Sequence, residues 1–328
     1  MSHTPSSAAA FAGFIDLASE KIGGRALSCS DEFFAEKENL LKDGRGVFIA
    51  DKFTERGKWM DGWETRRKRT PGYDWCILQL GLPGVIHGLD IDTNHFLGNN
   101  PAFASVEAAL GADGPWTEIL PRSPLNPGAQ NLFAVANRQP WTHLRLNIYP
   151  DGGVARFRVY GQAHKDWSAV KPGEVIDLAA IANGGRSVAC SDMFFSSMHN
   201  LIMPGRAANM GDGWETKRRR GPGYDWVIVK LGRPGLLREI EVDTNHFKGN
   251  YPDTCTIEGC LAPDTNIDLL TWNSITWSEV LPRQKLQASH QHLFAAELTG
   301  HGPYSHLKLN IFPDGGVSRL RVRGTIAP

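Results

Sequence analysis

The chain has 328 residues, about twice the length of a typical domain, so one or two globular domains with sizeable cores are expected. Hydrophobic residues make up 41% and charged residues 21%, with 35 Gly and 20 Pro, a turn-rich composition that excludes disorder and collagen. Lys and Arg (35) balance Asp and Glu (35), so no overall field would hold nucleic acid or an anionic membrane.

No apolar run approaches the roughly 18 residues that a membrane helix needs. The opening Met1 to Pro5 lacks the basic and apolar regions of a signal peptide, so a cytoplasmic protein is expected. The cysteines Cys29, Cys76, Cys190, Cys255 and Cys260 show no CxxC spacing and read as small buried thiols. Residues 1–13 read as a flexible N-terminus.

In chain order, Asp31 to Lys37 suits a turn or two of helix. Next come Asp61-Gly62-Trp63-Glu64 and a basic loop, Thr65 to Thr70. Trp75 to Leu80 and Val85 to Asp92 read as two strands about a turn at Gly81 to Gly84, and Asp92-Thr93-Asn94-His95 follows as a loop. Leu144, Leu146 and Ile148 alternate with His143, Arg145 and Asn147, and Phe157 and Val159 alternate with Arg156 and Arg158. Pro150-Asp151-Gly152-Gly153 between them suits a turn, giving a predicted hairpin.

The same elements then return. Asp16 to Ser30 recurs from Asp177 to Ser191, Asp61 to Phe96 from Asp212 to Phe247, and His143 to Gly153 from His306 to Gly316. The separation changes between these blocks, so length differences fall in loops: the second copy lacks ten residues of 42–58 and has extra residues around 255–275. The chain is therefore two copies of one β-domain, expected over 14–163 and 164–328 with a linker near 161–166. Short strands at this spacing suggest sandwiches.

Core positions differ between the copies by apolar exchanges such as Cys76 for Val227, whereas certain polar residues stay identical. Volume is the usual constraint on a core, so retained polar identity needs a hydrogen-bonding or functional reason. His95 and His246, with acid–base capacity near neutral pH, and Glu64 and Glu215 are candidate catalytic groups. Asp61, Arg67, Arg69, Asp92, Asn94 and Arg122 are candidate substrate contacts, with Asp212, Arg218, Arg220, Asp243, Asn245 and Arg283 in the second copy. An Arg fork suits a carboxylate, and a carboxylate accepts N–H groups from an amide or ureido ligand. The competing reading is structural: an Asx-turn at Asp92 to His95, a solvated basic loop, and sheet-face pairs at His143 and Asn147.

Dinucleotide, P-loop, HExxH and GxSxG motifs are missing, and no metal-ligand spacing occurs. No cofactor is certain, although a divalent metal stays open if His95, Asp92 and Glu64 converge. Acid–base hydrolysis and pure binding both fit.

The segments Asp61 to Arg67, Pro71 to Trp75, Asp92 to Phe96 with Gly98-Asn99, and Leu144 to Gly153 resemble the allantoicase family over about residues 14–326, duplication included. The resemblance implies an all-β tandem of two jelly-roll, galactose-binding-like β-sandwiches. It also implies hydrolysis of allantoate to ureidoglycolate and urea in purine catabolism. The small-molecule substrate is the expected partner, without nucleic acid or membrane, in a homo-oligomer. The alternative is a non-catalytic, carbohydrate-binding tandem.

Overall fold

The computed structural model describes Phe11, residues 13–268 and residues 271–328. Of the N-terminal stretch expected to be flexible, all but Phe11 and Gly13 lies outside the described residues. The chain divides after His164 into two compact units, each built on an eight-stranded antiparallel sheet. Gly161, Gln162 and Ala163, placed in the linker by sequence, are the last residues of the strand Arg156–Ala163. Among the described residues there is no α-helix, only short 3-10 turns such as Lys37–Leu41. The helical turn expected from Asp31 therefore begins six residues later.

One strand organises each unit. Asp74–Asp92 runs for 19 residues, and its two halves have different neighbours. The first half pairs with Arg25–Cys29 and Pro140–Tyr149, the second with Gln130–Ala134 and Arg156–Ala163. Folding about Gly81 to Gly84 turns one ribbon into two layers of a sandwich. The predicted pair of strands is thus one bent strand, because Gly and Pro bend the ribbon without ending its pairing. The predicted hairpin is corrected as well. Pro140–Tyr149 pairs with Asp74–Asp92 and Phe103–Ala109, whereas Arg156–Ala163 pairs with the other half of the bent strand and with Ile15–Asp16. The Pro150 to Gly153 segment carries the chain between layers.

Alternation sets the core. Leu78, Leu89, Ile91, Leu144, Leu146, Ile148, Phe157 and Val159 are fully buried, and Val229, Ile240, Val242, Leu307, Leu309, Ile311 and Val322 repeat this in the second unit. There Asp225–Asp243 is the bent strand, flanked by Tyr304–Phe312 and Arg319–Ile326. Each unit is a jelly-roll β-sandwich. The extra residues of the second copy cover one sheet: Ile267 is buried against Trp226 and Ile228, with Trp272, Ile275 and Trp277 packed around them. All five cysteines are free thiols; Cys76, Cys255 and Cys260 are buried, and Cys29 and Cys190 half-buried.

Candidate functional site

The bent strand brings both of its termini to one end of the sandwich. Asp74 pairs with Ile148 and Asp92 with Arg156, so the turn from Tyr149 to Ala155 spans the two layers there. Two glycines let this turn close. Gly152 sits at φ 137°, in the region that favours glycine, and a Cβ on Gly153 would lie 2.0 Å from the Phe96 ring. Gly153→Ala is expected to destabilise the protein by about 1–3 kcal/mol, the cost of overpacking, read as a lower denaturation midpoint with unchanged m-value. Gly316, 1.9 Å by the same measure from Phe247, has the same role in the second unit.

Beside this turn, Trp63–Glu64 pairs with Gly153–Val154. Trp63 is fully buried and its indole N–H donates to the Asp31 carbonyl at 2.8 Å. That anchor holds the next residue, whose main-chain N–H donates to Ala35 O at 3.1 Å. The Glu64 side chain is also buried, and its Oε1 accepts a 2.6 Å hydrogen bond from Asn99 Nδ2. Burial pushes the carboxyl above its ordinary range, against the opposing effect of Asn99. Glu215 has the same neighbour, Asn250, and is half-buried.

In the second unit Glu215 lines a cavity of about 600 Å³, with Arg218, Arg219, Asn250, Tyr251 and Asp314 among its walls. Asp314 positions the arginine loop by accepting from the Arg219 main-chain N–H at 2.8 Å, as Asp151 does from Lys68. Arg67 and Arg218 are exposed, as are Arg69 and Arg220; Arg67 Nε stands 4.0 Å from Asp151. A second cavity of about 440 Å³, in the first unit, is walled by Phe33, Phe34 and Trp59 and by the ten-residue insertion, and none of the sequence-derived candidates lines it.

The other candidates have internal partners, and they share a target. Asp92 holds the Arg45 guanidinium through two 2.8 Å hydrogen bonds. Asn94 Nδ2 and His95 Nε2 both meet the Gly46 carbonyl, at 2.8 and 3.1 Å. Asp61 accepts the Val47 main-chain N–H at 2.9 Å. Four retained side chains thus clamp three successive residues, 45–47. The second unit repeats the clamp: Asp243 on Arg206, Asn245 and His246 on the Ala207 carbonyl, Asp212 on the Ala208 N–H. His95 and His246 take φ values of 67° and 69°, and the Asn94 main-chain N–H donates to Asp92 Oδ1 at 2.9 Å, which is the Asx-turn. Since a carbonyl only accepts, Nε2 of each His carries a proton.

Asp61 also meets Arg156 at 2.7 Å, with both side chains buried. Burial opposes ionisation of Asp61, but the Arg156 and Val47 hydrogen bonds hold its pKa below the ordinary value. Arg122 stands over the Phe103 and Tyr149 rings at 4.7 and 4.5 Å, and Arg283 over Phe312 at 3.7 Å. His95, Asp92 and Glu64 therefore face Gly46, Arg45 and Asn99 respectively rather than one another. Among the described residues, no group of three or more His, Cys, Asp or Glu side chains could hold a metal ion.

Three pairs were missed as site candidates: Arg45 and Arg206, Asn99 and Asn250, Arg156 and Arg319. Each is identical between the copies, so the signal was present. What the sequence lacked was the pairing with Asp92, Glu64 and Asp61.

The family profile described as allantoicase repeat matches residues 15–164 and 176–327. The chain belongs to the allantoicase family. It is 50% identical to a probable allantoicase of Burkholderia mallei, with 95% of both chains covered, and 51% identical to one of Pseudomonas syringae, with 98% of both covered. The crystal structure of Saccharomyces cerevisiae allantoicase superposes with a TM-score of 0.81 at 38% identity, covering 98% of each chain. With allantoicases matching over almost the whole chain, the carbohydrate-binding alternative is not favoured. No helix among the described residues is long and apolar enough to cross a membrane.

Proposed function

We propose that this allantoicase-family chain hydrolyses allantoate to ureidoglycolate and urea in the cavity of its second repeat, with Glu215 moving the proton. The observation that carries this reading is the Glu215 carboxylate itself. It is half-buried, its one side-chain partner among the described residues is the neutral amide of Asn250, and it lines a cavity that also presents two arginines. Allantoate carries one carboxylate and two ureido groups on a single carbon. Arg218, exposed and on the cavity wall, suits the carboxylate, and Arg219 adds positive potential from a guanidinium tied to Asp225. Asp314 offers a carboxylate acceptor to the ureido N–H groups.

In the reaction, Glu215 takes a proton from water as its oxygen bonds to the central carbon. The C–N bond to one ureido group breaks, and the proton passes to the departing nitrogen, which leaves as urea. General acid–base transfer of this kind contributes roughly 10²- to 10⁴-fold. Fixed positive charge beside the anionic substrate supplies electrostatic stabilisation. Asp212, Asp243, Asn245 and His246, with Asp61, Asp92, Asn94 and His95 in the first repeat, act through the clamp on 45–47 and its counterpart rather than on the substrate.

The test is urea release from allantoate by the purified chain. Arg218→Ala should weaken substrate binding by about 1.5–3 kcal/mol, the worth of a charged hydrogen bond, seen as a raised KM with the melting temperature kept. A lowered melting temperature with unchanged KM would return Arg218 to a structural role. The setting we propose is the cytosol and a homo-oligomer; the exposed Val47, Phe48, Ile49 and Phe53 of the first repeat support self-association, which light scattering after size-exclusion chromatography reads directly.

A further inference from the structure

The Glu–Asn pair occurs twice and is built alike each time. The main chain of Asn99 is fixed by the Gly153 N–H, which donates to its carbonyl at 2.8 Å, and Asn250 is fixed by Gly316 at the same distance. Both glycines belong to the close-packed turn that no side chain can enter. The glutamates are fixed as well, Glu64 through its main-chain bonds with Ala35 and Glu215 through those with Ser196. With both backbones immobilised, the side chains meet head to head: the amide donates to Oε1 of Glu64 at 2.6 Å, and Asn250 donates to Oε1 of Glu215 in the same way. No cation is paired with either glutamate among the described ion pairs. An amide that donates to a carboxylate favours its charged form, whereas burial disfavours it.

We propose that Asn250 is a positioning residue for the reaction, holding the Glu215 carboxylate ionised and aimed into the cavity. This rests on the reading of Glu215 as the group that takes the proton. The charged and titratable groups that share the cavity with it are Arg218, Arg219, Asp253, Asp314 and Tyr251. Among the described residues lining the cavity, the Asn250 amide is the one with a hydrogen bond to the Glu215 carboxylate.

The experiment is the pH profile of kcat/KM for the full chain, wild type against Asn250→Ala and Asn250→Asp. The main-chain bond to Gly316 survives either change, so folding is retained and is checked by melting temperature. Removing the donor makes the carboxylate harder to ionise, so the acid limb should move up by about one pH unit in Asn250→Ala, a tenfold loss on that limb recovered at alkaline pH. Asn250→Asp should move it further, because two carboxylates in contact resist double ionisation. Glu215→Gln is the control: if it is inactive and the Asn250 variants keep the wild-type limb, the positioning role is overturned while the Glu215 reading stands. If Glu215→Gln keeps full activity, that reading fails and this inference with it. A loss in Asn250→Ala of equal size at every pH also overturns the proposal, since it indicates disturbed geometry without control of protonation.

Discussion

Glu215→Gln is expected to lower turnover of allantoate by roughly 10²- to 10⁴-fold while leaving the melting temperature unchanged. The substitution keeps shape and the capacity to accept the Asn250 hydrogen bond through its amide oxygen, and removes only the ability to take a proton. Glu64→Gln is the matched comparison in the first repeat. The surroundings of the two glutamates differ: Arg219, Tyr251 and Asp253 of the second repeat stand where the first has Lys68, Asn100 and Ala102. The ion pair behind them is common to both repeats, Lys68 with Asp74 and Arg219 with Asp225, but Glu64 lines neither of the two cavities described above. Glu64→Gln should therefore cost much less turnover. Equal losses would mean that both repeats are catalytic, and full activity in Glu215→Gln would remove Glu215 from the chemistry altogether.

Asp61→Ala should act on stability instead, by about 3–5 kcal/mol. Arg156 is only 3% exposed, and its guanidinium donates to Asp61 Oδ2 at 2.7 Å and to the Asp61 carbonyl at 3.1 Å. Truncating Asp61 strands that charge in a site from which water is excluded, and also frees the Val47 N–H that clamps the loop. A denaturant titration should show a lowered midpoint at constant m-value, with KM for allantoate little changed in the protein that stays folded. Asp212→Ala should behave likewise, because Arg319 contacts Asp212 at 2.9 Å and is itself buried. A raised KM with wild-type stability would return Asp61 to the substrate contacts.

The contrast between these two carboxylates shows why the site was only partly legible. Both are retained between the copies and both lie in the Asp-Gly-Trp-Glu segment, immediately flanking Gly62 and Trp63. Asp61 faces the buried Arg156 guanidinium and Glu64 the neutral Asn99 amide, and nothing in a four-residue stretch distinguishes them. His95 makes the same point: acid–base capacity marked it as a candidate, yet its Nε2 is bonded to the Gly46 carbonyl, 49 residues away in the chain.

The sequence by itself determined that the chain is a duplication of an all-β domain, that particular polar residues are held in both copies, and that the whole resembles allantoicases. Those are one-dimensional signals, identity at a near-constant separation and alternation with period two, and they survive without knowledge of contacts. Only the tertiary structure decided that Asp74–Asp92 is one strand bent across two layers, and that the strands around Pro150 to Gly153 belong to different layers. Only it placed Asn99 on Glu64 and gathered Asp61, Asp92, Asn94 and His95 on residues 45–47. Strand partners and hydrogen-bond partners are set by packing between segments tens of residues apart, where the free energy of burial selects one pairing among many that local patterns allow equally.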